Sequence, residues 1–296
     1  MEQKRNRKLG YLYVFCAAFF WASSGTASKF LFHRGITPFQ LVQLRTTTAA
    51  FSLFLVLFIW RKHFLRIGRN DIFYFLVLGA LLAATQFTYL YSISGIQVAV
   101  AILLQYMAPV LIAAYSVLFA YKKLDQRTVI ALAGALAGCY FMTGVYSLDI
   151  LNMNRTGILA GFASAAAFAA YTLRSEYGMQ IYTPWTVVFY ALFFAALIWN
   201  IFHPPLAAFI HPHLGTDWVL ILYIGIFGTI LPFGLYNEGI RLLQSTRASI
   251  TATLEPVLAG FFAYSFLGEK MELLQITGAF LVIASILLLQ TRKDHA

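Results

Sequence analysis

Pro109-Val110-Leu111 recurs as Pro256-Val257-Leu258, 147 residues further along the chain. Gly10, which opens the first long apolar run, has a counterpart at Gly157, and Thr37-Pro38 returns as Thr183-Pro184 at nearly the same offset. An internal repeat in an apolar chain is the pattern of a secondary transporter built from two related halves.

The composition places those halves in a membrane. Of 296 residues, 60% are hydrophobic and 11% charged, against about 25% charged in soluble domains. The net charge of +10 does not point to nucleic acid, because the basic residues sit in short loops between apolar runs. Cys16 and Cys139 both lie inside such runs, which excludes a disulfide framework, and no metal-ligand spacing occurs.

Ten runs have the roughly 20-residue length that spans a bilayer: 10–32, 38–60, 72–92, 98–121, 128–145, 157–177, 184–202, 218–239, 248–268 and 273–291. Two-residue alternation is absent, so the expected fold is an all-α integral membrane protein and not a β-barrel. The first run follows Lys4, Arg5, Arg7 and Lys8 in the manner of a signal peptide, but it continues through Phe30-Leu31-Phe32, so cleavage is not expected.

Loop charge sets the orientation. With the N-terminus in the cytoplasm, inside segments carry 16 Lys and Arg and outside loops carry 3, Arg34, Arg155 and Lys270. Both termini are therefore expected in the cytoplasm. Five spans per half is an odd number, so the second half enters from the opposite side and the repeat is inverted. The expected organisation is a first half over 1–145, a linker loop over 146–156 and an inverted second half over 157–296.

Within the spans a few residues stand out. Pro109 and Pro256 each free the carbonyl four residues earlier, at Gln105 and Ala252, and a free carbonyl in lipid needs a partner. Two readings stay open, a symmetric pair of cavity-lining hinges or two packing kinks. Glu255 is the one acidic residue well inside a span. A carboxylate there is costly unless it pairs, binds a solute cation or takes up a proton, so substrate binding, proton coupling and a structural ion pair are its candidate roles.

Arg45 is the obvious partner, but the two lie on opposite sides of the midplane. Each is about 10 Å deep in a ~30 Å core, which leaves about 10 Å between them in depth. Arg45 is accordingly expected to hold a substrate carboxylate or to pin backbone carbonyls. Trp21, Ser24, Gln86, Tyr89, Gln105, Tyr106, Tyr171, Tyr236, Asn237 and Thr253 cluster at similar depths and suit a small molecule with a polar head. Individually each aromatic has an equally ordinary role in helix packing. The His203, His211 and His213 loop, interleaved with Pro204, Pro205 and Pro212, is expected to be solvated and not to bind metal.

The order of Gly10, Trp21, Lys29, Gly35, Pro38 and Arg45 in the first half, and of Leu254-Glu255-Pro256-Val257, Leu267-Gly268-Glu269 and Gly278 in the second, resembles the EamA branch of the drug/metabolite transporter superfamily over nearly the whole chain. Ala108 where the second half has Glu255, Ala191 at the place of Arg45 and Phe168 at the place of Trp21 make the halves unequal. The resemblance implies a ten-helix bundle around a central cavity, export of amino acids or other metabolites, and residence in a bacterial inner membrane.

The expected function is a secondary transporter working by alternating access, with membrane lipids and a small solute as partners, no cofactor and a proton as candidate coupling ion. Whether it works as a monomer or a homodimer is not legible. A flippase for a lipid-linked intermediate is the alternative. An intramembrane enzyme is disfavoured, since paired catalytic carboxylates, His-Glu-x-x-His and Gly-x-Ser-x-Gly are all missing.

Overall fold

The computed structural model describes residues 2–121, 123–149, 153–202, 204, 206–210, 215–267 and 271–291. Part of the histidine loop and the Gly268-Glu269 motif lie outside the described residues, as does the side chain of Lys29. Among the described residues all regular structure is helical. The helices are α1 (Glu2–His33), α2 (Pro38–Trp60), α3 (Ile72–Gly95), α4 (Val98–Gln105), α5 (Ala108–Leu118), α6 (Gln126–Met142) and α7 (Arg155–Gly178). They continue as α8 (Pro184–Phe202), α9 (Ala207–Ile210), α10 (Gly215–Gly225), α11 (Leu231–Leu243), α12 (Ser245–Ala252), α13 (Glu255–Leu267) and α14 (Leu273–Gln290). Counting α4–α5 and α10–α11 as continuous units, 7 helices among the described residues are long and apolar enough to cross a membrane.

Local chemistry starts these helices where the repeat marks them. Gly35 takes the left-handed φ of 86° that the turn after α1 requires. Thr37 then caps α2: Gln40 N donates to Thr37 Oγ1 at 3.3 Å, Thr37 N donates to Gln40 Oε1 at 2.8 Å, and Pro38 occupies the first turn. The second copy uses the same device, with Thr186 N donating to Thr183 Oγ1 at 3.3 Å ahead of α8.

Three of the expected spans are not continuous α-helices. The fourth breaks at Tyr106–Met107 and the ninth at Thr253–Leu254, each just ahead of a proline. The eighth passes through a π-helical turn over Ile226–Ile230 ahead of Pro232. Each interruption follows from the missing proline N–H. The fourth span also ends sooner than the apolar run does, at Leu118.

Helices pack in close pairs: α6 along α14, α3 along α7, α1 along α11, and α2 along α8. The glycine pairs spaced four apart, Gly134 and Gly138 on α6 and Gly157 and Gly161 on α7, serve contacts within the chain. Gly138 of α6 faces Gly278 and Val282 of α14, and a Cβ on Gly278 would stand 2.5 Å from Met142 N. Gly157 and Gly161 of α7 face Gly95–Ile96 and Leu104. Large apolar side chains point outward, Phe51, Phe73 and Phe280 among them with more than half of their surface exposed. A water-facing surface of that kind would aggregate, whereas in a bilayer it meets acyl chains.

Candidate functional site

The two proline breaks meet at the centre of the bundle. Pro256 leaves the carbonyl of Ala252 without its helical donor, and Tyr106, in the turn of the other break, donates its hydroxyl to that oxygen at 3.4 Å. The same hydroxyl donates to Glu255 Oε2 at 2.7 Å. Cys139 Sγ, from α6, faces Thr253 O at 3.9 Å. Glu255 is the first residue of α13, where unpaired backbone N–H groups favour a carboxylate.

Arg45 of α2 is buried and lies against the third break. Pro232 frees the carbonyl of Gly228, and Arg45 Nη2 donates to it at 3.1 Å. Arg45 Nε donates to Thr229 Oγ1 at 3.2 Å, and that hydroxyl donates onward to Ile224 O at 2.8 Å. Arg45 thus holds one freed backbone carbonyl, in line with one of the two roles expected of it. These bonds leave Arg45 N–H groups unused. Among the described residues no cation forms an ion pair with Glu255, in keeping with the separation expected from depth.

Both charges line one cavity of about 210 Å³. Its walls carry Trp21, Ser24 and Ser28 from α1, Gln86 and Tyr89 from α3, Gln105, Tyr106 and Pro109 at the first break, and Glu255 and Pro256 at the second. Gln105 Nε2 donates to Ser164 Oγ at 3.0 Å, which ties α4 to α7. Gln86 is 4% exposed, and neither its amide nitrogen nor its oxygen has a hydrogen-bond partner. A buried amide with both functions unpaired is a group awaiting a ligand or water.

Aromatic rings close one end. Trp21 meets Phe168 at 6.1 Å, Phe233 at 5.3 Å and Tyr236 at 5.3 Å between centroids, and Phe168 stacks on Tyr236 at 5.5 Å.

Four expected cavity residues are elsewhere. Tyr171, Tyr236, Asn237 and Thr253 are fully buried and do not line the cavity. Tyr236 is the ring of the cluster turned away from the cavity, Tyr171 packs behind the cluster against Phe233, and Thr253 turns its hydroxyl back to Ile250 O at 2.6 Å. Shared depth cannot distinguish a residue facing the cavity from one sealed behind its wall. Phe233, Ser28 and the Gly228–Thr229 seat for Arg45 escaped the sequence reading. Pro232 was the signal for that seat, by the argument already applied to Pro109 and Pro256.

The fold and cavity define a multi-pass membrane protein with a solute-sized chamber that carries polar and charged groups in a largely apolar wall. A model of the EamA-like transporter family matches residues 8–144 and again residues 155–291. The chain belongs to this family of membrane transporters. It is 31% identical to an uncharacterized transporter of Archaeoglobus fulgidus, over 75% of this chain and 77% of that one. It is 27% identical to the uncharacterized inner membrane transporter YicL of Salmonella typhimurium, over 95% of this chain and 94% of YicL. The threonine/homoserine exporter RhtA of Escherichia coli is 24% identical, over 76% of this chain and 72% of RhtA. A solved crystal structure of 18% identity superposes with a TM-score of 0.79 over 98% of this chain and 100% of that one, a likeness of fold alone.

Proposed function

We propose that the chain is a secondary transporter that exports a small dipolar metabolite, an amino acid or a related compound, by alternating access. The observation that carries this reading is the pairing of charges in one small chamber. Glu255, oriented by Tyr106, receives an ammonium group; the free N–H groups of Arg45 receive a carboxylate; and the unpaired amide of Gln86 reads the remaining polar group. The printed substrates of RhtA are of this chemical class. A volume of about 210 Å³ is below the roughly 300–1,000 Å³ of pockets for drug-sized ligands, which favours a small metabolite over a lipid-linked intermediate.

The architecture in this reading has ten spans, with α1, α6 and α12–α13 added to the seven long apolar helices. They form two inverted five-helix halves, 1–145 and 157–296, with both termini in the cytoplasm. Two observations support it. The family model matches twice, once in each half. The helix pairs also map onto one another under a two-fold axis: exchanging the halves turns the α1–α11 pair into the α7–α3 pair and returns α2–α8 and α6–α14 to themselves. Most cavity-lining positions, Ser28, Arg45, Gln86, Tyr89 and Gln105 among them, fall in the outer halves of their spans, with Glu255 and Pro256 on the inner side of the midplane, so in this reading the chamber opens outward. The setting is a bacterial inner membrane, as printed for YicL, and a proton on Glu255 couples the cycle.

The test is Glu255→Gln in proteoliposomes. The reading predicts that amino acid exchange persists at a raised KM, because the amide oxygen still accepts from the ammonium group without its charge, while dependence on a pH gradient disappears. Unchanged gradient dependence would remove the proton from the proposal.

A further inference from the structure

Behind the ring cluster lies a second polar site with no opening. Tyr171 and Ser175 on α7 and Asn237 on α11 are fully excluded from solvent. Tyr171 stands beside Ser175 and Asn237. Yet Tyr171 Oη, Ser175 Oγ and both amide atoms of Asn237 have no partner in hydrogen-bonding geometry. The neighbouring Tyr236 hydroxyl does find one, Thr172 Oγ1 at 3.3 Å. Sealed polar groups inside a membrane bundle are costly. A fold retains them where another arrangement supplies water or a ligand.

The repeat identifies that arrangement. Adding 147 to the open-wall positions Ser24, Ser28, Tyr89 and Leu90 gives Tyr171, Ser175, Tyr236 and Asn237. The sealed cluster is therefore the image of the open wall in the other half. The α1–α11 and α3–α7 contacts that would part to expose it are images of each other as well.

We propose that Tyr171, Ser175 and Asn237 form the polar site of the opposite-face path, closed in this structure, and that they take the head group of the same dipolar solute when the ring cluster opens. This rests on the inverted two-half reading above. The images differ at two places, Ser24 against Tyr171 and Leu90 against Asn237; at the second, the sealed path offers an amide donor and acceptor where the open wall is apolar. Solute entering from that face meets a hydrogen-bonding site before it reaches the Glu255 chamber.

The experiment uses the full chain with Cys16→Ser and Cys139→Ala, carrying Ser28→Cys, Ser175→Cys or Asn237→Cys singly, in right-side-out and inside-out vesicles. The probe is a membrane-impermeant maleimide. Ser28→Cys is expected to label from one face and the other two only from the opposite face. Trp21→Ala, which removes the central ring of the plug, is expected to raise the rate at the latter two about tenfold by populating the second state. Asn237→Leu, which removes two unpartnered atoms and restores the residue type of position 90, is expected to fold, to leave Ser28→Cys labelling intact and to slow amino acid efflux about tenfold.

Labelling of Ser175→Cys and Asn237→Cys from the same face as Ser28→Cys, or from neither face in both backgrounds, would overturn the proposal. So would wild-type efflux by Asn237→Leu. Absent efflux in every vesicle together with opposite-face labelling would remove the transport reading and leave the sealed path standing.

Discussion

Tyr106→Phe removes one oxygen and keeps the ring. That oxygen is the donor shared by Glu255 Oε2 at 2.7 Å and Ala252 O at 3.4 Å. A hydrogen bond to a charged group contributes about 1.5–3 kcal/mol, and a long neutral bond sits near the ~0.5 kcal/mol end of the range. The substitution should therefore cost about 2–3 kcal/mol. At roughly 2–4 °C per kcal/mol for chains of 150–250 residues, the purified protein should melt about 5–10 °C lower. The assay is a thermal melt in detergent, read beside Gln86→Met. That control also removes a buried polar group from the cavity wall, but one whose two atoms have no partner, so its melting point should hold or rise. A Tyr106→Phe melt equal to wild type, or a Gln86→Met loss as large as that of Tyr106→Phe, would refute the assignment of Tyr106 as the clasp between the two broken spans.

Arg45→Lys should lose about 1–3 kcal/mol, because an ammonium cannot reproduce the forked contact with Gly228 O and Thr229 Oγ1; a melt and an amino acid binding titration would both register it. Gly278→Ala should cost about 1–3 kcal/mol, since its Cβ would meet backbone of α6 at 2.5 Å and 2.6 Å; an unchanged melt would contradict the close α6–α14 packing. At the loop end of α3, Tyr182 is held above the usual phenol range by burial and by its 2.5 Å hydrogen bond to Asp71. Its contribution to stability is then full below about pH 10 and is lost as pH rises through the higher folded value, so Tyr182→Phe should flatten the alkaline fall of a stability-against-pH curve.

Much of this protein was legible in the order of its residues. The Thr37-Pro38 and Thr183-Pro184 copies do start helices, and Pro109 and Pro256 do break two others where the missing N–H demands it. Glu255 and Tyr106 line the chamber as their depth and polarity led one to expect, whereas Arg45, set apart from Glu255 by depth, lines the same chamber. What stayed hidden depended on helix rotation. Tyr236 and Tyr89 occupy equivalent positions in the two halves, yet one faces the cavity and the other is sealed. A repeat in sequence cannot tell which copy is open in a given conformation. The seat of Arg45 was hidden for another reason: the Gly228 carbonyl is freed by a proline in a different span, and a sequence does not say which helix supplies the donor.

Export of a small dipolar solute through the Glu255–Arg45 chamber is tested most directly by efflux. Purified protein in tight liposomes loaded with a mixed pool of amino acids and other metabolites would be followed by mass spectrometry, with and without a pH gradient. The account predicts selective loss of an amino acid or a closely related class, accelerated by the gradient in the wild type and not in Glu255→Gln. Retention of every soluble metabolite, with the protein inserted and the vesicles tight, would contradict it.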